Sequence, residues 1–253
     1  MTQQSGSNAS NNLLLVCLLV VTIFFTAWNE GYLGIIAWPF AIVLFAGLGM
    51  MVWLALTASP ARFLSLVTSI FAIEYIKEAL GIYYGFWIYH GLPGSFVFGV
   101  WAWVLGGLTC YTLATNGLAP LLRKLPHPTS RRWNSVLIVG FALLGVFLMR
   151  DRTAQAGWLF WIFYLILTLI ALLRAPRFDF PSFCGLVISA LAVGNISEYM
   201  GSTWSGIWTF PRDPNYPPLF LLFACWPIEI VAQTSVATLL VPPSDAETSL
   251  SPA

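Results

Sequence analysis

Five ionisable side chains lie inside otherwise apolar runs of this sequence. They are Glu74, Lys77 and Glu78 in "FAIEYIKEALG", Glu198 in "GNISEYMG" and Glu229 in "CWPIEIVAQ". A carboxyl group surrounded by hydrocarbon favours its neutral form, because desolvation penalises the anion. Such a group is a candidate general acid, and its proton, delivered to an alkene, creates a carbocation. Aromatic faces stabilise cations without acting as strong bases. Trp87, Trp208, Trp226, Tyr75 and Tyr199 lie close enough in sequence to the acids to be candidates for that task. Glu229 is the clearest acid: it stands alone in an apolar run, two residues after Pro227, whose missing N–H frees a carbonyl. Each assignment has a plainer counterpart. Glu74 and Glu78, four apart on one helix face, would form a local ion pair with Lys77, which snorkels to the interface. Glu198 would cap a turn, and the aromatics would form an interfacial belt.

Two stretches repeat one pattern. Glu78-x2-Gly81-x3-Gly85-x-Trp87-x-Tyr89 parallels Glu198-x2-Gly201-x4-Gly206-x-Trp208-x-Phe210, about 120 residues later. A second alignment pairs Glu74-Tyr75 with Glu198-Tyr199 at the cost of a three-residue gap, and the sequence leaves both open. The glycines let the backbone turn tightly or approach a neighbour closely.

The elements that must carry these groups are apolar helices. Of 253 residues, 58% are hydrophobic and 8% charged, against about 25% charged in a soluble domain. Eight runs approach the ~20 residues that a spanning helix needs: 12–28, 34–57, 61–82, 95–117, 133–149, 157–174, 180–200 and 218–241. They lack the alternating polarity of barrel strands, and helices satisfy their own backbone in lipid. The expected fold is therefore all-α, a polytopic bundle of about eight transmembrane helices. The first and fifth runs also start about 120 residues apart, which predicts a parallel 4+4 internal repeat. On this reading a polar tail (1–12) precedes the first repeat (13–120). A basic linker (121–132) leads to the second repeat (133–241) and a disordered tail (242–253). Seven of the eleven Lys and Arg residues fall in the second, fourth and sixth loops: Arg62, Arg123, Lys124, Arg131, Arg132, Arg174 and Arg177. The positive-inside rule then places both termini in the cytoplasm. Arg150, Arg152 and Arg212 fall on the other side, joined by Lys77 if it snorkels outward.

Other chemistries find no footing. A net charge of +1 does not suit a nucleic-acid binder. The four cysteines sit in apolar runs without a CxxC, and there are only two histidines, His90 and His127, so neither a metal site nor a metal cofactor is expected. No P-loop, dinucleotide-binding glycine pattern or nucleophile elbow is present, and no cofactor is expected. The N-terminus lacks the basic region and cleavage site of a signal peptide, so the first helix is expected to be retained.

"EYMGSTWSGIWTF" resembles the E-Y-x-G…G-x-x-x-Y/F signature of bacterial carotenoid-biosynthesis membrane proteins of the carotenoid hydratase type. "GIWTF…WPIE" is similar to the G-x-W-x-Y…P-x-E-E pattern of the small, heterodimeric-type lycopene cyclases. The resemblance covers about 40 residues, with an echo at 74–103. It implies acid chemistry on polyprenoid alkenes in a bacterial inner membrane, with Glu198 and Glu229 as the matching acids. Position 230 is Ile where the cyclase pattern has its second acid. Three functions follow for comparison: an isoprenoid- or lipid-modifying enzyme (hydratase, cyclase or isomerase), a transporter or permease, and a non-catalytic assembly factor. The first requires Glu198 and Glu229 to converge on an apolar, Trp-lined cavity; the third lets them point apart.

Overall fold

The computed structural model describes residues 2–150, 157–211 and 219–241, with side chains from Asn12 onward. Arg152, Arg212 and the tail 242–253, all assigned a place from sequence, lie outside the described residues. The described chain is all-α apart from one two-residue strand pair. The helices are α1 (Thr2–Asn29), α2 (Trp38–Thr57), α3 (Pro60–Tyr83), α4 (Val97–Leu113), α5 (Ala119–Leu122), α6 (Arg132–Leu148), α7 (Gly157–Arg174), α8 (Phe180–Glu198) and α9 (Trp226–Leu240). The strands are β1 (Ile88–Tyr89) and β2 (Trp208–Thr209).

Among the described residues, six helical stretches are long and apolar enough to cross a bilayer: Asn12–Asn29, Trp38–Thr57, Val97–Leu122, Gly157–Arg177, Phe180–Trp204 and Leu221–Leu240. The chain is a multi-pass membrane helix bundle. The other two expected spans are α3, whose 24 residues include four charged ones, and α6, with 17 residues. At 1.5 Å per residue these measure about 36 and about 25 Å. Helix α1 begins ten residues before the run read from hydropathy. Once its apolar part is helical, each polar residue added upstream gains a backbone hydrogen bond without a new nucleation cost.

Local chemistry starts the interior helices where the sequence allows. Ser59 caps α3, its Oγ accepting from the Arg62 amide at 3.3 Å, and Pro60 follows at the first turn. Asp179 caps α8 in the same way, accepting from the Ser182 amide at 2.6 Å ahead of Pro181. Proline at that position forfeits no intrahelical bond. Short π-helical segments lie at Ala114–Leu118, Tyr199–Trp204 and Leu221–Cys225. Such turns recur at functional sites, and two of these flank Glu198 and Glu229.

The packing recurs between the two halves. Helix α1 packs on α2 as α6 packs on α7, α2 on α4 as α7 on α9, and α3 on α4 as α8 on α9. Contacts of α3 with α9 and of α4 with α8 join the halves. Individual hydrogen bonds recur too. The Asn12 amide donates to the Ala55 and Ala58 carbonyls at 2.6 and 2.9 Å. Asn134 donates to those of Ala175 and Phe178 at 3.1 and 3.0 Å. These side chains tie an outer helix to the corner where the next helix pair turns.

The repeated glycine–aromatic pattern forms a matching structure in each half. Gly85 (φ 67°) and Gly206 (φ 62°) make left-handed turns that a side chain would strain. The chain then folds back, laying Trp87 over Gly81 and Trp208 over Gly201, so closely that a methyl group at either glycine would overlap the indole. β1 and β2 pair antiparallel with Ile88 opposite Thr209 and Tyr89 opposite Trp208. Aligned on their tryptophans, the two motifs place Ile88 against its own counterpart, so a local two-fold axis passes between them. The glycines beneath the indoles, Gly81 and Gly201, lie 120 residues apart, one fewer than the tryptophans, and on the helices they pair Glu78, rather than Glu74, with Glu198.

At the basic end, Arg123 donates to Asp179 at 2.8 Å and to Ser182 Oγ at 2.9 Å. Burial works against the Asp179 anion, but the Ser182 and Arg123 hydrogen bonds outweigh it and hold the carboxyl below its usual range. A lowered folded value means that the stabilisation is complete above the unfolded aspartate range, near pH ~4, and is lost as pH falls through the lower folded value. Asp179→Ala is expected to cost about 1 kcal/mol at neutral pH, the usual value of a helix cap. Thermal unfolding in detergent should show that this difference shrinks on acidification.

Candidate functional site

Helix α3 presents Glu74, Lys77 and Glu78 on one face, as spacings of three and four residues dictate. Helix α9 lies against α3 and presents Glu229 and Gln233, also four apart. The result is a cluster around Lys77, which is 4% exposed. Its Nζ lies 2.5 Å from Glu74 Oε2, 3.3 Å from Glu229 Oε2 and 3.9 Å from Glu78 Oε1. The rings of Trp226 and Trp103 stand 5.0 and 5.3 Å from the same nitrogen, within cation–π range. Gln233 Nε2 donates to Glu74 Oε1 at 2.7 Å. Snorkelling, the plainer expectation for Lys77, does not occur. The convergence of carboxyls from two helices offsets a desolvation cost of several kcal/mol per ion, and the stem of Lys77 points into the bundle.

Aromatic donors fix the remaining carboxyls. Trp87 Nε1 and Tyr89 Oη donate to Glu78 Oε2 at 2.7 and 2.9 Å. Trp208 Nε1 donates to Glu198 Oε2 at 3.1 Å, so each half of the repeat closes with the same Glu–Trp bond. Trp103 Nε1 donates to Tyr89 Oη at 3.2 Å. Burial, with the Glu78 carboxyl beside it, pushes the Tyr89 phenol well above its usual range, and it stays a hydrogen-bond donor. A cavity of about 10 Å³, bounded by Lys77, Glu78, Tyr89, Trp103, Glu198 and Trp208, offers room for about one water-sized sphere. Beyond Trp103 lies a second cavity of about 250 Å³, lined almost wholly by apolar side chains.

Of the residues singled out from sequence, Glu74, Glu78, Glu198, Glu229, Trp87, Trp208 and Trp226 gather in this one region. Tyr75 does not: it is 43% exposed, and its ring packs on Phe71 and Phe96. It follows Glu74 by one residue, and neighbours in a helix point to different sides. Tyr199 is half-buried and borders neither cavity. The belt reading fails for Trp87, Trp208 and Trp226, which are all buried. Tyr89, Trp103, Gln233 and the hub role of Lys77 are additions. The i, i+4 spacing of Glu229 and Gln233 was a signal for one of them. Arg62, counted as a loop charge, is buried in the first turn of α3 and donates to Tyr111 Oη at 3.3 Å. Glu30 is also an addition. Its carboxylate accepts from the Val97 and Phe98 amides at 3.1 and 2.9 Å, capping α4. No group of three or more His, Cys, Asp or Glu side chains suited to a metal occurs among the described residues.

Of the cluster's buried polar atoms, Glu229 Oε1 and Gln233 Oε1 have no hydrogen-bond partner among the described residues, while the Trp226 indole N–H is directed at Glu198. An unmet buried polar group costs about 1–3 kcal/mol. Comparisons with protein-family models, curated proteins and solved structures find nothing that matches the chain.

Removing the central cation leaves converging carboxyls unpaired. Lys77→Met is expected to destabilise the bundle by about 3–5 kcal/mol, read as a lowered midpoint of thermal unfolding in detergent. Adding Glu74→Gln to that variant should recover part of the loss.

Proposed function

We propose that the protein is an integral-membrane enzyme that protonates a carbon–carbon double bond of an apolar, polyprenoid lipid. The observation that carries this reading is the placing of the carboxyl–lysine–tryptophan cluster beside a large apolar cavity, with Trp103 bordering both. Four carboxyl groups share the region with one ammonium group, Lys77. Buried charge is tolerated only when paired, so the surplus carboxyls hold protons.

Glu198 borders the small cavity and Glu229 borders neither; we assign the donor role to Glu229 because it has a carboxyl oxygen to spare, with motion of Trp103 bringing the alkene to it. Its Oε2 is held by Lys77, while Oε1 has no partner among the described residues. In the proposed step the alkene π electrons take the Glu229 proton, a C–H bond forms at one carbon, and the positive charge appears at the other. The faces of Trp103 and Trp226, already beside a cation, offer it the same stabilisation. The reaction ends in one of three ways. Loss of a neighbouring C–H proton to a carboxylate gives isomerisation; attack on the cation by a second double bond of the same chain, forming a C–C bond before that proton is lost, gives ring closure; addition of water with release of a proton gives hydration. Glu198, bonded to Trp208 across the small cavity from Glu78, is the candidate proton acceptor. The resemblance to carotenoid hydratases and heterodimeric-type cyclases supports the same substrate class. Ile230, standing where the cyclase pattern has its second acid, favours hydration or isomerisation. The resemblance supports a bacterial inner membrane, and the basic loops support cytoplasmic termini.

The test compares lipid extracts from a host that accumulates a linear unsaturated polyprenoid, with and without the protein. A product of unchanged mass, or heavier by one water, is expected. Glu229→Gln should lower its yield at least ~100-fold, the usual weight of a general acid, with folded protein still recovered from the membrane. Full yield in that variant contradicts the proposal.

A further inference from the structure

The larger cavity is not a sealed void. Helices α2 and α8 both pack on α4, and the cavity runs between them with α4 as its floor, its walls supplied by residues of all three helices. Its rim includes Ile42 and Ile196, exposed at 58% and 52%. In a bundle that spans a membrane, such a rim opens sideways into hydrocarbon. The floor and near wall are cut low by small residues, Ala46, Gly47, Ala102 and Gly106. A methyl group added at Gly106 would meet only Trp226 at 3.8 Å and Trp103 at 4.0 Å, ordinary contact distances. No ionisable side chain lines the groove. Of its two hydroxyls, Thr109 donates to the Leu105 carbonyl at 2.7 Å and Ser197 adjoins Glu198 in sequence. The inner end is closed by Trp103, whose ring meets Trp208 and Trp226 edge-on at 5.0 and 5.2 Å and faces Lys77.

From this shape we infer that the groove between α2 and α8 is a lateral binding slot that takes an unsaturated polyprenoid chain directly from the bilayer and delivers one end of it to Trp103. The occupant must be apolar, because nothing along the slot could pair with a charge. It must arrive from the membrane, because the mouth opens between lipid-exposed isoleucines. At about 250 Å³ the slot exceeds the roughly 150 Å³ apolar cavity that accepts a benzene ring, so it seats a segment of the chain while the remainder stays in lipid. The choice of a polyprenoid over a saturated acyl chain rests on the function proposed above. The slot itself rests only on its geometry.

The experiment uses the full chain in phosphatidylcholine nanodiscs with a diazirine-bearing linear polyprenyl hydrocarbon. Photolabelled positions are mapped by mass spectrometry. Leu143 and Leu165, exposed on α6 and α7, report labelling by lipid in general. Labelling at Ile42, Ile196 and Met200 is expected to exceed that reference and to be lost on adding unlabelled polyprenoid. Ala46→Trp, at an exposed position beside the mouth, should abolish the excess. Glu229→Gln should leave it unchanged, which separates loss of the slot from loss of catalysis. Uniform labelling, or an excess indifferent to both Ala46→Trp and competitor, overturns the inference. Equal, competable labelling by a saturated acyl diazirine overturns the choice of polyprenoid.

Discussion

A single ammonium group sunk among carboxyls constrains most of this fold. Lys77 sits in the middle of a bundle whose outer surface meets lipid, and an unpaired charge there is prohibitive. Its partners come from two helices distant in sequence, so α3 and α9 must lie together in the register that sets Lys77 against Glu229 and Glu74 against Gln233. That register brings Trp226, at the start of α9, over the lysine. The π-helical segment before Trp226 and Pro227 then lets the backbone enter α9 without the bond that proline cannot donate. The outer helices, with fewer buried residues, wrap this polar centre.

The halves are alike in scaffold and unlike in chemistry. Glu78 with Trp87 and Glu198 with Trp208 are equivalent about the local two-fold, as are the glycines beneath the indoles. The same correspondence sets Lys77 against Ser197 and Glu74 against Gly194. Gly194 is where the Trp226 ring fits; a methyl group there would lie 2.6 Å from it. The second half thus gives up a charged pair to admit the tryptophan that covers the first half's lysine. The charged cluster therefore forms once rather than twice, and the apolar cavity between α2 and α8 meets its small cavity at Trp103.

Much of the fold was legible because membrane helices announce themselves by length and hydropathy, as in α2 and α7. The boundaries that failed are those where hydropathy is not the deciding force. α1 propagates into polar residues, and Glu30, just beyond the first apolar run, caps a helix whose start lies far along the chain. The acids of the site were legible for a similar reason, since a lone glutamate in an apolar run stands out. Lys77 was harder. A lysine stem can reach the interface or the interior, and only α9, brought alongside by tertiary packing, decides between them. Tyr75 misled because proximity in sequence to Glu74 is not proximity around a helix. Trp103 carries no local signal, since it becomes part of the site only when α4 meets both α3 and α8.

The account depends on Lys77 being enclosed, and the sequence makes that directly measurable because its only other lysine is Lys124, in the basic linker. The intact protein in nanodiscs is treated with a membrane-permeant amine-reactive reagent, and each lysine is followed by mass spectrometry. The structure predicts rapid modification of Lys124 and none of Lys77 until the protein is unfolded. Equal reactivity of the two lysines in the folded protein would contradict it.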